Sequence, residues 1–65
     1  MARREVKDKQ GAKVGAVDVQ PNQTVAYDAN GKRIGRFDKK LNTTFDGAGV
    51  ELGKGDLIMT RVFKL

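Results

Sequence analysis

No window of the chain carries apolar residues at the 3.6-residue spacing of a useful helical stripe. Turn signals built from Asp and Gly recur instead about every ten residues, the mark of a β-meander with strands of four to six residues. Three segments align without gaps: DKQGAKVGAVD (Asp8 to Asp18), DANGKRIGRFD (Asp28 to Asp38) and DGAGVELGKGD (Asp46 to Asp56). Each reads D-x-x-G-x-x-Φ-G-x-x-D, with Val14, Ile34 or Leu52 as the apolar residue Φ. The connectors agree as well, since Asn22 and Thr24 stand as far from Asp18 as Asn42 and Thr44 stand from Asp38. The pattern predicts an all-β fold in a single domain, residues 1–65. It would be a small antiparallel meander of three β-hairpin units, about 6–18, 25–38 and 44–56, with a closing C-terminal strand over 57–65, curled or barrel-like.

The turn chemistry narrows further. In DANG, Asp28 suits the first position of a type I turn and Gly31 the position that needs positive φ, giving a three-residue hairpin loop with a G1 bulge. DKQG and DGAG keep Asp first and Gly fourth without Asn-Gly, so one turn type serves all three copies. The second glycines, Gly15, Gly35 and Gly53, fall inside strands and predict a bulge, a bend or close backbone approach. Val14, Ile34 and Leu52 would then converge on one core.

The terminal stretch LIMTRVFKL has no turn signal. As a strand it places Leu57, Met59, Phe63 and Leu65 near one face and Ile58 and Val62 on the other. A strand apolar on both faces is covered on both sides or used at an interface, so the former four are the candidate contact of a homo-oligomer.

Size and composition fit that expectation. A chain of 65 residues has a thin stability margin unless something staples it, and with no Cys or His, self-association is the staple left. Ser and Trp are absent too, leaving carboxylates, lysines, one Tyr and four Thr as candidate catalytic groups. A non-enzymatic protein without a cofactor is the expectation. MARREVKDKQ has no apolar h-region and no apolar run approaches a membrane span, which reads as an intracellular, cytoplasmic protein.

Thirteen Lys plus Arg against eight Asp plus Glu give a net charge of +5, which favours nucleic acid or an acidic protein as partner. Lys32, Arg33, Arg36, Lys39 and Lys40 crowd the middle unit and are the candidate anion- or nucleic-acid-binding residues. Single-strand binders also interleave stacking aromatics, and only Tyr27, Phe37, Phe45 and Phe63 exist. A core this small would claim most of them.

Other chemistries fit poorly. A calcium loop starting at Asp28 would need glycine sixth and Glu twelfth, whereas Gly31 is fourth and Lys39 twelfth. GKRIGR and GVELGKGD lack the Ser or Thr of a phosphate loop. Six of the eight acids are the repeat Asp residues at turn ends, spaced to bend the backbone and not to converge as an acid–base pair.

The run VGAVD…VAYDANGKRIGRFD…TTFDGAGVELGKGD resembles the β-flower repeat proteins of bacteria, over about Val6 to Asp56. That resemblance implies a β-repeat fold and carries no catalytic residues. Asp28 to Gly35 also resembles the opening of a PRC-barrel, which would imply a protein-docking module.

Overall fold

The computed structural model describes residues 2–65, and it forms one six-stranded antiparallel sheet in which each strand pairs with its neighbour in sequence. The strands are β1 (Ala2–Lys7), β2 (Lys13–Val19), β3 (Gln23–Asp28), β4 (Arg33–Asp38), β5 (Thr43–Asp46) and β6 (Glu51–Lys54). The all-β meander expected from the turn spacing is therefore what forms. The sheet curls without closing, with β1 and β6 as its edges. Both edge strands, ARREVK and ELGK, are rich in charge, which discourages pairing with another chain.

The three repeat turns are built alike. Asp28 Oδ1 accepts the backbone N–H groups of Asn30 and Lys32 at 2.9 and 2.8 Å. Asp8 does the same for Gln10 and Ala12, and Asp46 for Ala48 and Val50. Gly11, Gly31 and Gly49 close the turns at φ of 84°, 85° and 87°, each donating its N–H to the carbonyl of the turn's first Asp at 3.0 Å. This is the G1-bulged type I turn, and it needs glycine because a Cβ is strained at that φ.

A second irregularity follows in each hairpin. The pairing shifts between Val6 and Lys7, between Ala26 and Tyr27, and between Thr44 and Phe45. The residues passed over on the opposite strands are Val14, Ile34 and Leu52. The apolar residue of the repeat is thus the extra residue of a bulge, and Val14 and Ile34 pack beside the core.

The core is Val6, Val17, Ala26 and Ile58, flanked by Val19, Phe37, Val62 and Phe63. Register places Val6, Val17 and Ala26 on one face of the sheet, here the inner face, together with Gly15, Gly35 and Gly53. Residues 57–65, expected as a strand, instead make a π-helical turn at Ile58–Val62, tied by Phe63 N–H to Ile58 O at 3.0 Å. The reason is the spacing of the apolar residues. A strand would send Ile58 and Val62 away from Leu57 and Phe63, whereas a wide turn brings all four to the sheet and leaves Met59, Thr60 and Arg61 exposed.

The second glycines clear room for this cover. A Cβ on Gly15 would meet the backbone oxygen of Tyr27 and lie 2.6 Å from Phe63 Cε1. One on Gly35 would lie 2.9 Å from Phe45 O and from Val62 Cγ2, and one on Gly53 2.8 Å from Leu57 Cδ1. Thr44, fully buried, holds the start of the cover: its Oγ1 donates to Gly55 O at 2.7 Å and accepts from Leu57 N–H at 2.9 Å.

Candidate functional site

With much of the inner face covered, the outer face carries arginines and aromatic rings whose chemistry is open to a partner. Register places Arg3, Ala16, Val25, Tyr27, Arg36 and Phe45 on it. Tyr27 and Phe45 each immediately precede a turn Asp, at equivalent positions of the repeat where the first copy has Lys7. Two arginines cross onto these rings. The Arg3 guanidinium lies 4.9 Å from the Tyr27 centroid and that of Arg36 lies 4.4 Å from the Phe45 centroid. The same register puts Glu5, Asp18, Asp38 and Glu51 on this face, with buried Ala16 and Val25 between the arginine-capped rings.

Arg36 is also held by its own strand. Its Nη1 donates to Asp38 Oδ2 at 3.1 Å. Asp38 Oδ1 accepts the N–H groups of Leu41 and Lys40, both at 3.0 Å, bracing the β4–β5 turn. Leu41 N–H foremost, with Arg36 and Lys40, draws the Asp38 carboxyl below its ordinary value of 3.8, against an opposing effect of partial burial. A carboxyl whose pKa is lowered by folding adds stability above its unfolded pKa and loses it as pH falls through the folded one. Thermal melts from pH 5 to 2.5 should therefore show a steeper loss in the wild type than in Asp38→Asn. Parallel curves would show that Asp38 does not contribute.

The basic residues expected to act together are divided by the strand that carries them. Lys32 is exposed in the β3–β4 turn, and Arg33 opens β4 in register with Tyr27. Arg36 sits mid-strand, while Lys39 and Lys40 lie in the turn at the far end. Six residues of β4 span about 20 Å at the rise of a strand, so Lys32 and Lys40 sit at opposite ends of the sheet. Lys39 Nζ donates to Gln20 O at 2.7 Å. Of the five, Arg33 and Arg36 belong with the aromatic surface.

The aromatics divide evenly: Phe37 and Phe63 pack toward the core, while Tyr27 and Phe45 face outward. Arg3 belongs to a second, N-terminal group of basic residues, outside the five candidates of the middle unit. Its signal is visible only once the β1–β2 and β2–β3 registers carry β1 across to Tyr27. Of the expected contact residues, Leu57 and Phe63 turn toward the sheet, whereas Met59 and Leu65 are 44% and 47% exposed and are joined by Leu65 N–H donating to Met59 O at 2.9 Å.

All six repeat Asp carboxylates accept hydrogen bonds within the chain. Besides the three turn residues and Asp38, Asp18 accepts from the Gln20 side chain at 3.3 Å and Asp56 from Ile58 N–H at 3.2 Å. No helix of the described residues is long and apolar enough to cross a membrane. Comparison with family models, with curated proteins and with solved structures finds no match to this chain.

Proposed function

We propose that this chain is a non-enzymatic β-repeat module of the cytoplasm that acts by binding, through the outer face of its sheet. The observation that carries the reading is the pair of arginine-capped rings, Arg3 on Tyr27 and Arg36 on Phe45, on the face left bare by the C-terminal cover. Carboxylates spent on backbone donors support binding over catalysis, because they are committed to holding turns. The β-flower likeness belongs to the same reading and adds no reaction to it. Met59 and Leu65, exposed side by side, are the contact through which copies would assemble.

Nucleic acid is the second reading. Rings that accept stacked bases beside guanidinium groups that accept phosphates are the two parts of single-strand recognition. One titration separates the possibilities. Fluorescence anisotropy is read with a labelled single-stranded DNA, a single-stranded RNA and a polyglutamate peptide, at 50 and 200 mM salt. Saturable binding of one of them is expected, weakening roughly sevenfold to eighteenfold over that range if two or three phosphates of a single strand are contacted. Arg3→Gln, an exposed change, should weaken it further. If none of the probes binds at the lower salt, and light scattering gives a 7.1 kDa monomer, the reading fails.

A further inference from the structure

The cover does not reach the whole inner face. Beside it, over β1, β2 and β3, lies an open groove of about 550 Å³, within the range of about 300–1,000 Å³ usual for small-ligand sites. Its floor is Val6, Val17 and Val19, and Ile58, Met59 and Leu65 form the wall toward the cover. The geometry points to this groove as a site for an acyl-chain carboxylate, its tail along the valines and its head at the β1 rim.

Charge on the rim selects the head group. Arg4 stands in register with Val17, directly beside the apolar floor, and Lys7 and Lys39 border the same groove. Two acids are there as well, and of these only Glu5 is paired with a base. Glu5 pairs with Lys13 at 3.5 Å, and Asp56 accepts the Ile58 N–H. Among the described residues the ion pairs are Lys13–Glu5 and Arg36–Asp38, so Arg4 and Lys7 have no carboxylate of their own. An unpaired guanidinium at the edge of a groove floored by Val6, Val17 and half-buried Val19 complements a molecule that is anionic at one end and apolar along the rest. Phosphates alone would gain nothing from the floor, and a neutral alkyl chain nothing from the rim.

The site is on the opposite face from the arginine-capped rings and independent of them, but it shares Met59 and Leu65 with the proposed contact between copies. Its test is an amide chemical-shift titration with sodium decanoate below its micelle concentration, with sodium acetate and octanol as head-only and tail-only probes. Decanoate should shift Val17, Val19, Thr24 and Ile58 saturably, and acetate should shift none of them. Octanol should bind more weakly than decanoate. Arg4→Gln should weaken decanoate roughly fivefold, the worth of an exposed ion pair, while Arg3→Gln on the other face leaves it unchanged. Shifts that centre on Tyr27 and Phe45 would overturn the assignment. So would indifference to Arg4→Gln, or groove shifts that follow protein concentration and show a second copy seated there.

Discussion

Gly15→Ala is expected to cost about 3 kcal/mol or more, a large part of the roughly 3–10 kcal/mol available to a domain of this size. The added methyl has nowhere to go. It would enter the space of the Tyr27 carbonyl, which belongs to the paired backbone of β3, and would also press on the Phe63 ring. The ring can swing aside only by uncovering the core, and the carbonyl can move only by breaking the β2–β3 ladder. Gly11→Ala is the matched comparison. It meets nothing within 4 Å but carries a φ of 84°, so it should cost only about 1 kcal/mol of backbone strain. Urea unfolding of the two variants beside the wild type measures both. Equal midpoints for Gly15→Ala and Gly11→Ala would refute the idea that the strand glycines are seats for the cover.

Thr44→Val should be the second large effect, about 2–4 kcal/mol. Valine keeps the shape and removes one hydroxyl, which in the folded chain joins Gly55 O to Leu57 N–H. Both backbone groups sit where the chain leaves β6 for the cover, and each would lose a buried partner, at about 1–3 kcal/mol apiece before relaxation. Thr44→Ser retains the hydroxyl and should recover most of the loss. Amide exchange gives the local readout, with Leu57 to Phe63 losing protection before the strands do. A Thr44→Val variant within about 0.5 kcal/mol of the wild type, with the cover still protected, would show that the hydroxyl does not anchor it.

These two effects mark the boundary between what the sequence discloses and what it does not. Asp8, Asp28 and Asp46 with their fourth-position glycines are readable because a turn is decided by a few adjacent residues. The bulged Φ-Gly pairs are half readable: glycine announces a close approach without saying what approaches. Leu57 to Leu65 were misleading because the same apolar residues suit a strand or a wide turn. The choice rests on three glycines, two of them far away in the chain. How the basic residues are distributed over the surface is hidden for a related reason. Lys32 to Lys40 are close in sequence and are drawn apart by an extended strand. Arg3 and Tyr27 are distant in sequence and are brought together by strand pairing across β2, which Gly15 and its bulge help to set.

Gly15, Gly35 and Gly53 recur on every second strand, so the surface beneath the cover repeats at intervals of about 10 Å. A periodic substrate by itself offers several near-degenerate berths to anything laid across it. Size breaks the degeneracy, since the berths receive Phe63, Val62 and Leu57, three side chains of different bulk. The uniqueness of the folded state is therefore written in a stretch of the chain that stands outside the repeat.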